Sequence, residues 1–154
     1  MFKKKIIFLF LLFLSSCGYE AIHSKKNSVN YNFSISEITF IGDREVNLKI
    51  KEKLNSYTFG KKDKNFILKV SSTSEKTILA KDTAGNTTGF KNIISINVEA
   101  LMNDKFKNNF TILESFNYNN ISNKFDLKRY EKEIKSNLTQ TATDKIIFKL
   151  SNIK

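Results

Sequence analysis

The stretch FKNIISINVEALM, residues 90–102, decides the fold because it alternates apolar and polar side chains over most of its length. Apolar residues stand at every second position with polar residues between them: Ile94, Ile96, Val98 and Ala100 against Ser95, Asn97 and Glu99. A period of two is that of a β-strand. The sequence therefore predicts a strand with one buried face and one wet face, as in an antiparallel sheet.

Turn residues stand on both sides of this strand and predict a meander. KDTAGNTTG, residues 81–89, is a hairpin turn in which Gly85-Asn86 supplies the positive φ that such turns need. Before it, NFILKVSSTSE (residues 65–75) predicts a strand that continues through residues 77–80 past a bulge. After residue 102, NDKFKNN turns the chain again, and TILESFNY (residues 111–118) predicts the last strand.

One more strand and two helices complete the pattern. FSISEITFI, residues 33–41, predicts a half-buried strand, and Asp43 is placed to cap the helix that follows. That helix shows one apolar face at spacings of four, four and three: Val46, Ile50, Leu54 and Tyr57. A longer apolar stripe runs from Lys124 nearly to the end of the chain: Leu127, Tyr130, Ile134, Leu138, Thr141, Ala142, Ile146 and Leu150.

The element order is therefore β-α-β-β-β-α, and the predicted fold class is α+β. Two helices can cover one face of a four-stranded sheet, which gives a two-layer sandwich with a mixed sheet over residues 33–154. The other sheet face carries Ser, Thr, Asn and Lys side chains. We expect that face to be solvated or to meet a wet partner.

The N-terminus has the three zones of a secretory signal peptide over residues 1–16. Lys3, Lys4 and Lys5 precede an apolar run, residues 6–14, that is far shorter than the roughly 20 residues of a membrane span. LSSC, residues 14–17, then resembles the bacterial lipobox, in which the cysteine thiol receives diacylglycerol and a peptidase cuts before it. The prediction is a lipid-anchored Cys17 and a flexible tether over residues 17–32. The alternative is an uncleaved anchor with an incidental cysteine.

Composition restricts the partners. The formal net charge is +11, but the cations are almost all Lys, which lacks the planar fork with which Arg reads phosphate and base edges. No basic block with interleaved aromatic residues appears, so we expect no nucleic-acid partner. An anionic membrane surface or a phosphorylated lipid remains open. One cysteine excludes an internal disulfide and a cysteine cluster for zinc.

The sequence shows no catalytic or metal-binding set, so we expect a non-enzyme without metal or cofactor. His23 is the only histidine and lies in the tether, where nothing positions it as a base. Glu131-Lys132-Glu133 is interpreted as a charged helix face, not as a pair of carboxylates that points inward. The acidic residues that stand near turns lack the ligand spacing of a Ca²⁺ loop: Asp82, Asp104 and Asp126.

Taken together, several segments resemble the lipopolysaccharide-assembly lipoprotein (LptE) family. The segments in chain order are LSSCGY (14–19), ITFI (38–41), KEKLN (51–55), LAKDTAGNTTGF (79–90), ILESFNYNN (112–120) and ATDKIIFKLSNI (142–153). They span nearly all of residues 17–154. In the sorting pattern of Gram-negative lipoproteins, a residue other than Asp after the cysteine favours release to the outer membrane, and here that residue is Gly18.

The resemblance implies a lipid-anchored subunit of the outer-membrane lipopolysaccharide translocon. Such proteins sit inside the LptD β-barrel, help it assemble and assist delivery of lipopolysaccharide. It also makes Lys81 and Lys124 candidates for lipopolysaccharide contact, with a solvated surface lysine as the alternative for each. Two other functions stay open: a free-standing periplasm-facing lipoprotein that binds a lipid or another apolar ligand, and a hydrolase, for which the sequence offers no catalytic cluster.

Overall fold

A four-stranded sheet carries the fold in the computed structural model, which describes residues 31–60, 62–103 and 105–153. The strands are β1 (Phe33–Gly42), β2 (Lys64–Lys81), β3 (Thr87–Met102) and β4 (Phe106–Asn119), and they lie in chain order across the sheet. β1 pairs with β2 in parallel, whereas β2, β3 and β4 are antiparallel. The sheet is therefore mixed and open.

Two helices cover one face of this sheet. Helix α1 (Arg44–Leu54) continues into a 3₁₀ turn (Asn55–Tyr57) and connects the parallel pair β1 and β2. Helix α2 (Lys124–Asn152) follows β4 and packs against α1, β3 and β4. The predicted class, an α+β two-layer sandwich of order β-α-β-β-β-α, is confirmed.

The core lies between the two layers. Large apolar side chains from the strands meet those of both helices there, and all are almost fully buried: Phe66, Leu68, Val70, Ile94, Ile96, Val98, Val46, Ile50, Leu54, Ala142, Ile146 and Leu150. The alternation that predicted β3 is confirmed, because every second residue from Ile94 to Met102 is buried.

A bulge explains why the alternation in β1 is imperfect. The pairing register with β2 shifts between Ile35 and Glu37, so one extra residue is inserted. Ile35 and Ile38 are three residues apart, yet both contribute to the core. The unpaired Ser36 donates its hydroxyl to the carbonyl oxygen of Phe66 at 3.2 Å.

Both helices begin at side-chain caps. Asp43 accepts hydrogen bonds from the backbone amides of Glu45 and Val46, each at 3.0 Å, so the predicted cap of α1 is confirmed. Asn123 caps α2 in the same way by accepting from the amides of Phe125 and Asp126. Each cap satisfies amides that have no partner within the first helical turn.

Two residues of the predicted apolar stripe on α2 are exposed, Tyr130 and Thr141. Thr141 is exposed, whereas Thr139 and Thr143 are the buried threonines. Their hydroxyls donate to the carbonyl oxygens of Lys135 and Thr139, each at 2.7 Å. A threonine that bonds back to the preceding turn needs no outside partner, so it can lie in the core.

Two strand boundaries also differ from the prediction. β2 runs to Lys81 without a break at residue 76, and its bulges lie at Ile78–Lys81. β4 begins at Phe106, five residues before the predicted start, because β3 ends at Met102 and only three residues separate the two strands. Asn103 makes this short turn by adopting a left-handed φ of 48°, which asparagine tolerates better than most residues.

Candidate functional site

The structure brings Lys81 and Lys124 to the same end of the domain. Lys81 is the last residue of β2, and Lys124 is the first residue of α2. We call this region the hairpin end and define it by residues 79–90, 116–119 and 120–131. Both lysines are exposed, and neither joins an ion pair within the part of the chain that the structure describes.

A connecting loop ties the two lysine-bearing elements together. The side-chain amide of Asn120 donates to the carbonyl oxygen of Thr87 at 2.8 Å, and its backbone amide donates to that of Thr88 at 2.8 Å. Thr87 is the residue opposite Lys81 in the β2–β3 ladder. The loop that leads to Lys124 is thus bonded to the residue opposite Lys81, which places the two lysines at the same end of the sheet.

The turn beside Lys81 is strongly ordered by hydrogen bonds. The Asp82 carboxylate accepts from the backbone amides of Ala84 and Asn86 at 2.9 and 2.8 Å, and from the Asn86 side chain at 3.0 Å. These bonds, first of all the one from the Asn86 side chain, hold the pKa of Asp82 below its ordinary value. Gly85 has a φ of 85°, so the glycine prediction for this turn is confirmed.

An open groove of about 590 Å³ lies at the hairpin end. The ends of β2 and β4 and the first turns of α2 form it, with Leu79, Ala80, Phe116, Tyr118 and Tyr130 among its lining. Further apolar side chains are exposed close by in sequence, at Ile78 and Phe125. Contiguous exposed apolar surface often marks a site that binds a ligand, a protein or a membrane.

The charges at this end are mostly positive because its acidic residues are already engaged. The Asp82 carboxylate accepts hydrogen bonds from its own turn, and the Asp126 carboxylate pairs with Arg129 at 3.2 Å. Lys81, Lys124 and Lys128 have no acidic partner among the described residues. The groove has a mixed lining, because Thr88, Asn117 and Asn119 stand among its apolar residues. A partly apolar groove at the same end of the domain as unpaired lysines suits an amphiphilic ligand with an anionic head group.

Lys132 and Glu133 are exposed, as a charged helix face predicts, but Glu131 is partly buried. Its side chain is only 23% exposed, and its Oε1 accepts hydrogen bonds from the Tyr118 hydroxyl at 2.9 Å and the Lys76 ammonium at 2.5 Å. Burial, and then the hydrogen bond and charge of Glu131, raise the pKa of Tyr118. The phenol therefore stays a proton donor at neutral pH.

The sequence did contain a signal for this inward position. Glu131 follows Leu127 by four residues and precedes Ile134 by three, which places it on the apolar stripe of α2. An acidic residue on such a stripe needs a buried partner. That partner comes from Tyr118 and Lys76, which are distant in sequence.

A second cleft, of about 300 Å³ between α1 and α2, offers less to a ligand. Lys135 bridges Asp43 and Glu45 there, at 2.8 and 3.0 Å, and Lys49 donates to the hydroxyl of Ser136. These polar groups already satisfy one another. We therefore take the hairpin end as the candidate site.

The described residues contain no group of three or more histidine, cysteine, aspartate and glutamate side chains arranged to hold a metal ion. Within the same residues, no helix combines the length and hydrophobicity that a membrane crossing requires. The predictions for Cys17 and His23, for the signal peptide (1–16) and for most of the tether (17–32) lie outside the described part of the chain. So does Asp104.

Comparison with known proteins finds no matching family model and no matching characterised sequence. Solved structures do match. Rare lipoprotein B from Shewanella oneidensis superposes with a TM-score of 0.60 at 14% identity, over 75% of this chain and 93% of that one. Lipoprotein B from Nitrosomonas europaea gives 0.55 at 13% identity over 77% and 86%, and a putative lipoprotein from Caulobacter crescentus gives 0.51 at 10% over 74% and 87%. At these identities the likeness shows a common fold.

Proposed function

We propose that this chain is an outer-membrane lipoprotein of the lipopolysaccharide transport and assembly machinery, a non-catalytic subunit that sits inside an LptD-type β-barrel. The observation that carries the proposal is that the fold brings Lys81 and Lys124 to the same end of the domain, where a partly apolar groove also lies. The fold shared with rare lipoprotein B, of the LptE family, supports it, as do the sequence segments that resemble that family.

In this proposal Cys17 carries the lipid anchor, and residues 17–32 tether the domain to the outer membrane. The chain enters the described domain beside Phe33, which lies opposite Lys64 at the start of β2. The hairpin end lies at the other end of this 18-residue strand. At about 3.3 Å per residue, the two ends are on the order of 55 Å apart. The hairpin end is thus at the end of the sheet opposite to the start of β1.

The outer face of the sheet suits the wet interior of a barrel. Glu99 pairs there with Lys107 at 2.9 Å and lies 3.9 Å from Lys69, and Asn97 donates to the hydroxyl of Thr111 at 3.1 Å. The hydrogen bond and charge of Lys107 hold the pKa of Glu99 below its ordinary value. Porin-type lumens are polar and water-filled, so they match a face of this chemistry.

Lys81 and Lys124 are proposed to meet the phosphates of lipid A. A lysine ammonium is a compact charge with three donors that binds phosphate without demanding one orientation. A lysine can therefore hold the phosphate of a lipid head group that changes its orientation. Because both side chains lack an acidic partner among the described residues, binding would not require an existing ion pair to break.

The apolar residues of the groove favour a second candidate, a free-standing periplasm-facing lipoprotein that binds a lipid or another apolar ligand itself. Affinity purification of the C-terminally tagged chain from detergent-solubilised outer membranes separates the two. We expect one large β-barrel protein at about equal stoichiometry, together with an acylated Cys17 in the mass spectrum. The tagged protein emerging alone and monomeric would contradict the barrel proposal and favour the second candidate. A mock purification from the untagged parent strain is the control.

A further inference from the structure

We infer that Glu131 is a positioning residue that holds β2 and α2 at a fixed separation, so that Lys81 and Lys124 act on a ligand as a pair. The part of this inference that concerns lipid rests on the proposed function. The structural part does not, because the order of the hairpin can be measured without any ligand.

One oxygen of Glu131 joins three elements. Its Oε1 accepts from Lys76 of β2 at 2.5 Å and from Tyr118 of β4 at 2.9 Å, while Glu131 itself belongs to α2. Three hydrogen bonds connect β2 with α2, or with the residue that follows it, among the described residues. The Lys76–Glu131 bond is the one that lies nearest to the turn between β2 and β3. Beyond it, every residue of β2 from Thr77 to Lys81 is exposed.

Aromatic rings extend the same network to β3. The Lys76 ammonium lies 3.8 Å from the centroid of the Phe90 ring, and that ring lies 5.7 Å from Tyr118. Tyr118 in turn meets Tyr130 edge to face at 5.9 Å. The two partners of Glu131 are thus themselves held by packing, which fixes the direction from which each donates.

Each lysine is connected to the Glu131 contact through one regular element, Lys81 through β2 and Lys124 through α2. Lys81 follows Lys76 by five residues in β2, which is about 16 Å along the strand. Glu131 follows Lys124 by seven residues in α2, about two turns, which places the two side chains on nearly the same helix face some 10 Å apart. A shift at Glu131 therefore changes the distance between Lys81 and Lys124.

Replacement of Glu131 by Gln keeps the volume and an acceptor for Tyr118 but removes the charge that pairs with Lys76. Lys76 then stays unpaired at an end that is already basic, so repulsion from its neighbours adds to the lost bond. Without the Glu131–Lys76 ion pair, residues 77–90 should be held less firmly against α2 and should open more often.

Amide hydrogen exchange of the acylated full chain in detergent tests the structural part. We expect E131Q to speed exchange across residues 77–90 by roughly two- to fivefold, the range set by loss of one partly exposed ion pair. The matched control is E114Q, which breaks the Glu114–Lys145 pair between β4 and a later turn of α2. Hairpin exchange that is unchanged in E131Q, or equally changed in E114Q, would overturn the inference.

Binding to vesicles of phosphatidylcholine with or without lipid A tests the pairing of the lysines. K81A, K124A and the double variant are compared in the wild-type and E131Q backgrounds. We expect the two lysine effects to be coupled in the wild type and additive in E131Q. Equal coupling in both backgrounds would overturn the positioning role. A wild-type chain that ignores lipid A would instead contradict the proposed function, while the exchange experiment still decides the role of Glu131.

Discussion

The Lys135 ammonium of α2 lies 2.8 Å from the Asp43 carboxylate, so one helix reaches the residue that begins the other. Both side chains are about one-fifth exposed. Partial burial alone would raise the pKa of Asp43, but the hydrogen bond and charge of Lys135, with the amides of Glu45 and Val46, hold it below the ordinary value. The same carboxylate therefore caps α1 and holds α2 against it.

This contact predicts a loss of stability in acid. Since the pKa of Asp43 is lower in the folded chain than in the unfolded chain, the stabilisation is complete above the unfolded value, near 4, and is lost as the pH falls through the folded value. We expect the free energy of unfolding of the wild type to exceed that of D43N at pH 7 and to converge with it as the pH falls through the lowered pKa of Asp43. Urea unfolding at several pH values measures this. A difference that persists in acid would contradict it.

The exposed neighbour Glu45 provides the control. Lys135 also pairs with Glu45 at 3.0 Å, but the Glu45 side chain is 66% exposed. Exposed ion pairs contribute little, so E45Q should change the free energy of unfolding by less than about 0.5 kcal/mol. D43A should cost more than D43N, because Asn keeps the capping acceptor and Ala removes it, at about 1 kcal/mol.

Gly42 at the end of β1 is predicted to tolerate no side chain. Its φ is 99°, and a Cβ built on it would lie 2.0 Å from the carbonyl oxygen of Ser72. G42A should therefore destabilise the chain by more than the 1–3 kcal/mol or so of backbone strain alone. Gly60 is the matched control, since its φ is 81° with no atom within 4 Å of a Cβ. Equal losses in G42A and G60A, measured by urea unfolding, would contradict the steric explanation.

Local patterns were sufficient to predict most of this fold. The alternation of β3 and the cap at Asp43 depend on neighbours in sequence, so they could be read directly. β4 was predicted too short because Lys107, Asn108 and Asn109 have the composition of a turn, although pairing with β3 extends them. Long-range contact overrode local preference there.

The candidate site divides in the same way. Resemblance to a family suggested Lys81 and Lys124 individually, and the predicted meander followed by a helix already implies that both lie at one end of the domain. The bonds of Glu131 could not be predicted because its two partners, Lys76 and Tyr118, lie 55 and 13 residues away in the chain. A helix pattern can show that a carboxylate lies on the buried stripe, but only the sheet topology supplies the groups that bond to it.

Cys17 is predicted to determine membrane attachment. Two or three acyl chains on one residue bind a bilayer far more firmly than a single chain, which gives only marginal attachment. We expect C17A to lose metabolic labelling by palmitate and to move from the membrane pellet to the soluble fraction after fractionation. C17A that remains in the pellet would support an uncleaved anchor, in which residues 1–16 stay attached.

Lys81 and Lys124 are predicted to attract phosphorylated lipid more strongly than other exposed lysines do. A basic residue near an anionic membrane surface contributes about 1 kcal/mol, so K81E and K124E should each weaken binding to lipid A vesicles at least roughly fivefold. K51E changes the net charge equally on α1, away from the hairpin end, and should have a much smaller effect. Raising the salt concentration should shrink the difference between K81E and the wild type, because screening weakens exposed charges. Equal losses in all three variants would show that net charge alone attracts the lipid and that the hairpin end has no special role.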